Sequence, residues 1–200
     1  MPQHRIFLQA ERWFDRGRAA SLGKIPCRRG CHRCCIGPFP ITILDAKVLQ
    51  EGMVELDRAA QEDIEQRAKD QAAAIAQEFP QLGRSIYLDD WRESDVDRMA
   101  VRFAEFPCPA LDPDGSCRLY RFRPLTCRLM GLPTQAGDMV DVPCEVQTTV
   151  PIIPLPRMLR EEEDRLAAKE AAALTSMRTA ETGEELLLPY GFLPDAQPDF

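Results

Sequence analysis

Apolar residues return at helical intervals in four stretches of this chain. Ile6, Ala10, Trp13, Phe14 and Ala20 mark one face of a short helix, which Gly23 and Pro26 interrupt. Leu49, Met53, Leu56, Ala60, Ile64, Ala68, Ala72, Ile75 and Phe79 mark a long helix, or two joined near Gly52, ending before Pro80. Thr42 followed three residues later by Asp45 has the form of an N-terminal cap for it. Asp90 to Phe106 gives a third helix through Val96, Met99, Ala100 and Phe103. A fourth, from about Pro156 to Ala180, aligns Leu159, Leu166, Ala173, Leu174 and Met177, with Glu170 breaking the stripe. Trp13, Phe14 and Trp91 stand at helical positions, where packing is the ordinary role of an aromatic ring.

Between these stretches the periodicity vanishes. Cys27 to Pro40 reads CRRGCHRCCIGPFP, and Pro107 to Cys144 is again rich in Pro, Gly and Cys. Both predict irregular loops whose order comes from something other than a hydrogen-bonded ladder. Together they hold every cysteine of the protein: Cys27, Cys31, Cys34 and Cys35 in the first, and Cys108, Cys117, Cys127 and Cys144 in the second.

Charge and hydropathy narrow how those thiols are used. The net charge of -7 argues against bulk electrostatic attraction to nucleic acid or an anionic membrane, so neither is expected as a partner. The N-terminal 20 residues lack an uninterrupted apolar run before a small-residue cleavage site, so no secretory signal is read there. The most apolar run, Val150 to Leu155, carries two prolines and falls far short of the ~20 residues a spanning helix needs. The expected setting is the reducing cytoplasm, where clustered thiols serve metal binding or catalysis more often than disulfides.

The C-x3-C-x2-C-C spacing lets one loop turn several thiolates toward an ion, since metal–sulfur bonds of about 2.3 Å require converging donors. Eight thiolates exceed what one tetrahedral ion uses. Two four-cysteine zinc sites, one iron–sulfur cluster with additional thiols, or a polynuclear centre all satisfy the count. If Cys34 and Cys35 lie in an extended segment they point opposite ways, and one of them serves a different metal or packs in the core. A lone cysteine is often a buried small hydrophobe, and Cys144 stands most alone. His32 could be a ligand, although with so many thiols nearby a supporting or solvent-facing role is the simpler reading.

Of the 25 basic residues 21 are Arg, and Arg28, Arg29, Arg33, Arg118, Arg121, Arg123 and Arg128 share the cysteine stretches with Lys24. They could offset thiolate charge, or simply face water. Pro124 favours an extended Arg123, presenting Thr126 and Cys127 from a defined turn, with Arg123 and Arg128 within reach of a carboxylate or a sulfur.

The first block, together with CPALDPDGSCRLYRFRPLTCR from Cys108 to Arg128, resembles the YkgJ-type cysteine-cluster family, described as a zinc- or iron-chelating domain. That family shows C-x2-C-x2-C-C, then C-P, then C-x2-Y-x2-R-P-x2-C-R. The last pattern falls here on Cys117, Tyr120, Arg123, Pro124, Cys127 and Arg128. The extra residue between Cys27 and Cys31 is the one departure. Over its cysteine domain the family also resembles a bacterial flagellin lysine methylase proposed to use an iron–sulfur cluster, which implies methyl transfer as one possible chemistry.

The expected architecture is mainly α, with helices packed around an irregular cysteine-rich metal-binding core. One domain is expected over 1–182, with its motif region at 25–145, and a C-terminal tail over 183–200, of which Leu186 to Leu188 could dock on the core. The expected function is metal binding, with zinc or iron, including a 4Fe-4S cluster, held by the eight cysteines. The alternatives are an iron–sulfur enzyme of the protein lysine methyltransferase kind and a thiol redox or electron-transfer protein. No glycine-rich nucleotide fingerprint, Walker motif or H-E-x-x-H supplies independent support for a catalytic base or a nucleotide cofactor.

Overall fold

The computed structural model describes residues 2–21, 24–25, 27, 30–136, 139–141, 155–179 and 182–194. The protein is mainly helical, and no helix among the described residues is long and apolar enough to cross a membrane. The chain forms two compact units, each assembled from segments distant in sequence: Met1–Cys34 with Leu125–Thr175, and Cys35–Pro124 with Ser176–Phe200.

The first unit contains α1 (Pro2–Ala20), α5 (Leu125–Leu129) and most of α6 (Arg157–Met177), with the hairpin of β2 (Thr134–Ala136) and β3 (Met139–Asp141). α1 buries Ile6, Phe7, Ala10 and Trp13, a three-and-four spacing that forms one stripe. Trp13 is wholly buried, and its indole N–H donates to the Leu159 carbonyl at 2.7 Å. That bond satisfies the one polar atom that burying the ring would otherwise strand. Gly17 faces Leu132 so closely that any Cβ there would strike the leucine side chain. On α6, Leu159, Leu166 and Leu174 are buried, as the apolar stripe required.

The second unit contains α2 (Ile43–Val54), α3 (Arg58–Glu78), α4 (Glu93–Arg102) and α7 (Leu188–Gly191) around the short antiparallel pair of β1 (Pro40–Thr42) and β4 (Glu185–Leu187). Thr42 and Asp45 form a complete capping box at the start of α2. The helical stretch that follows is two helices joined near Gly52, as one of the two expectations had it: the first ends at Val54, and Asp57 caps the second by accepting from the Ala60 N–H at 3.0 Å. Gly52 itself serves packing: a Cβ there would come within 2.5 Å of the Phe122 ring. α4 is shorter than its periodicity suggested because Phe103 already leaves helical geometry and joins a row of rings, Trp91, Phe79, Phe103 and Phe106.

Docking of the C-terminal segment reaches further than Leu186 to Leu188. Ile41 pairs with Leu186 across β1 and β4, and Tyr190, Phe192 and Leu193 are buried beside them. Gln50 donates to the Gly191 carbonyl at 2.7 Å. Prolines suggested a tail, yet Pro189 sits in the first turn of α7, where a missing N–H costs nothing. Residues 195–200 lie outside the described residues.

Asp95, near the start of α4, is held ionised. The hydrogen bond from Arg92 chiefly depresses its pKa, aided by the charges of Arg92 and Arg98 and opposed by burial. A carboxyl whose folded value lies below its unfolded one contributes stability above the unfolded pKa, which is lost as pH falls through the folded value. Asp95→Asn is therefore expected to lower the melting temperature at neutral pH, and the difference from wild type should shrink in acid. A difference that persisted unchanged to the acid limit would exclude this role.

Candidate metal centre

Seven of the eight cysteines are described, and all seven are half-buried. Cys144 lies outside the described residues. Cys27, Cys31, Cys34 and Cys127 belong to the first unit, and Cys35, Cys108 and Cys117 to the second.

In the second unit, backbone bonds rather than long strands fix the thiol-bearing residues. Residues 35–37 run antiparallel to 106–108, with Ile36 opposite Pro107. The Cys108 N–H donates to the Cys35 carbonyl at 2.7 Å, and the Gly37 N–H to the Phe106 carbonyl at 2.6 Å. The next turn continues the frame: the Leu111 N–H donates to the Cys108 carbonyl at 2.9 Å, and Leu111 bridges Cys117. The D-P-D-G-S sequence closes this turn. Asp112 donates its N–H to the Ser116 carbonyl, Gly115 takes φ +82°, and the Asp114 carboxylate accepts from the Ser116 N–H at 2.9 Å. A hydrogen bond from the Ser116 side chain, aided by this backbone bond, holds the Asp114 pKa below the usual carboxylate range. Cys35, Cys108 and Cys117 are thus tied into one continuous backbone frame.

A charged clamp fastens the frame to α3. Arg118 binds Asp112 at 2.6 Å and Asp63 at 2.7 Å, and Arg67 binds Asp63 at 2.8 Å while donating to the Leu111 carbonyl at 3.0 Å. Arg123 has the extended backbone that a following proline favours, and its guanidinium lies 3.7 Å from the centroid of the Tyr120 ring. The arginines of the second block therefore meet carboxylates and an aromatic face, a positioning role that the composition alone did not reveal. Arg33 and His32 are exposed.

In the first unit Cys27 approaches the end of α5, the helix that carries Cys127. The Cys27 Sγ lies 4.0 Å from the Gly131 carbonyl, and Arg18 donates to the Cys27 carbonyl at 3.4 Å. Gly131 has φ +109°, and a Cβ there would stand 2.6 Å from the Cys27 Sγ. The glycine is required twice, for its backbone conformation and for the room it leaves the thiol. Arg128 is buried against Glu11 at 3.1 Å, fixing α5 to α1 beside this approach. Cys34 and Cys35 lie in the 3-10 turn Arg33–Cys35, not in an extended segment. At three residues per turn their side chains diverge by roughly 120° instead of opposing.

Among the described residues, no three His, Cys, Asp or Glu side chains gather closely enough to enclose an ion. The donor chemistry fits one nonetheless: thiols that are neither sealed in the core nor fully solvated, on loops pinned by backbone bonds, match soft metals such as zinc and thiolate-bound iron. Sequence comparison decides the family. The model of the CxxCxxCC family, described as "Putative zinc- or iron-chelating domain", matches residues 26–145. The chain belongs to the CxxCxxCC family. The match spans both cysteine blocks of this CxxCxxCC protein, including Cys144, and the CxxCxxCC designation supports metal binding in general. No curated protein and no solved structure matches the chain significantly.

Proposed function

We propose that this CxxCxxCC protein holds zinc through cysteine thiolates in a reducing, cytoplasmic setting, and that the metal completes the fold of its cysteine loops. The candidate ligands are Cys27, Cys31, Cys34, Cys35, Cys108, Cys117, Cys127 and Cys144. The observation that carries the reading is the all-thiolate character of the described donor set, half-buried on backbone-pinned turns with His32 facing solvent. Bound zinc would supply a redox-inert anchor for the turns that carry its thiolate ligands. The chain's own part is to keep the donors in place: the Arg118 clamp holds the Cys108–Cys117 turn, and Gly131 leaves room for the Cys27 thiol.

An iron–sulfur cluster is the second reading, favoured by the same absence of histidine from the half-buried donors, since such clusters are held mainly by cysteine. Elemental analysis and an absorption spectrum after anaerobic purification separate the two. Zinc at one equivalent or more in a colourless sample supports the first; iron with sulfide and broad visible absorption supports the second. Less than one equivalent of either metal per chain would overturn both.

A further inference from the structure

Away from the cysteines, the second unit contains a cavity of about 790 Å³ between the segment 81–95 and the segment around Gly183. That volume falls in the range of small-molecule sites. One wall exists because Gly183 lies directly on Tyr87 and Asp89, where a Cβ would come within 2.6 Å of the Tyr87 Cβ.

Several charges lining the cavity are already committed. Both oxygens of Asp89 accept from the Glu184 N–H, at 2.8 and 3.0 Å. Asp95 is bound by Arg92 and Arg98, and Arg178 pairs with Glu184 at 3.3 Å. Two charged side chains have no bonded partner: among the described residues, Arg84 and Asp90 line the cavity with no ion pair or side-chain hydrogen bond. Trp91, which directly follows Asp90 in sequence, also lines the cavity; it is half-buried, with one face stacked on Phe79 at a centroid distance of 5.8 Å. Tyr87 adds a second ring, and burial together with Asp89 pushes its pKa up, so that its hydroxyl stays a donor at neutral pH.

We infer that this cavity binds a small zwitterion with a flat apolar body, the chemistry of an aromatic amino acid or its dipeptide: carboxylate to Arg84, ammonium to Asp90, ring against Trp91. A ligand of one charge would satisfy one of the two residues and face the other with like charge. The inference is independent of the metal reading and uses none of its residues.

The test is calorimetric titration of the full-length purified protein with L-phenylalanine and with glycyl-L-phenylalanine, beside 3-phenylpropionate and 2-phenylethylamine. At least one of the two zwitterions should saturate a single site, with both single-charge analogues about tenfold weaker or worse, a difference of about 1.4 kcal/mol. Arg84→Gln should weaken the zwitterion and 3-phenylpropionate about tenfold, and Asp90→Asn the zwitterion and 2-phenylethylamine. Both positions are exposed, so both variants should melt with wild type. The proposal is overturned if neither zwitterion saturates a site, if the single-charge analogues bind as tightly, or if Arg84→Gln and Asp90→Asn bind as wild type does.

Discussion

Cys31→Ala, purified without oxygen, is expected to carry less metal than wild type and to melt roughly 10–20 °C lower. The size follows from coupling between ligation and folding. Structural zinc contributes about 10–16 kcal/mol of apparent binding free energy in small zinc-dependent folds, against a net stability of about 5–15 kcal/mol for a typical domain. Losing even a third of that would shift a protein of this size by the stated interval, at about 2–4 °C per kcal/mol. Cys34→Ala should behave alike. Glu161→Gln is the matched control: the residue is exposed and paired with Arg157 one helical turn away, an interaction of about 0.5 kcal/mol at most. If Cys31→Ala retained full metal and melted with wild type, thiolate ligation by the first block would be wrong.

Gly131→Ala is expected to be the most damaging single-methyl addition in the first unit. Left-handed backbone costs a residue with a Cβ about 1–2 kcal/mol, and overpacking adds about 1–3 kcal/mol, because the new methyl would meet the Cys27 Sγ at 2.6 Å and the Phe14 ring at 3.2 Å. Gly30→Ala separates the two contributions. Gly30 also has positive φ, at +86°, but nothing stands within 4 Å of its would-be Cβ. Gly30→Ala should therefore lose only the backbone share, and Gly131→Ala roughly twice that or more, with displacement of Cys27 visible as lowered metal content. Equal melting of the two variants would show that the Cys27 approach is not tight in solution.

The helices were readable because their signals are local. Thr42 and Asp45 form their box within four residues, and the stripe on α6 needs only its own period. What the pattern could not show depends on partners far along the chain. A break near Gly52 could be read, but the packing of Gly52 against Phe122 is invisible to a local reading, and Asp57, an ordinary cap, is the residue that starts the second helix. β1 and β4 have three residues each, too few for alternation to register.

The candidate centre divides in the same way. Cysteine spacing and the C-x2-Y-x2-R-P-x2-C-R pattern were enough to place the family. The pairing of Cys35 with Cys108 across 35–37 and 106–108 was not legible, nor was the use of Arg118 to bind carboxylates; for Arg128 a carboxylate or a sulfur was expected, and the structure gives it the Glu11 carboxylate. The turn at D-P-D-G-S was the one signal that could have foretold the Cys108–Cys117 hairpin. The cavity left no trace in the sequence, because its wall forms where 183 meets 87–89.

The interleaving of segments also bears on how the protein can be cut. A fragment confined to residues 26–145 would keep the whole family match while discarding α1, which covers α5, and β4, the only strand partner described for β1. Ile41, Leu49 and Leu132, sealed in the full chain, would then meet water. In this chain the family match is narrower than the set of segments that bury its core, so a fragment trimmed to the match should precipitate where the intact chain stays dissolved.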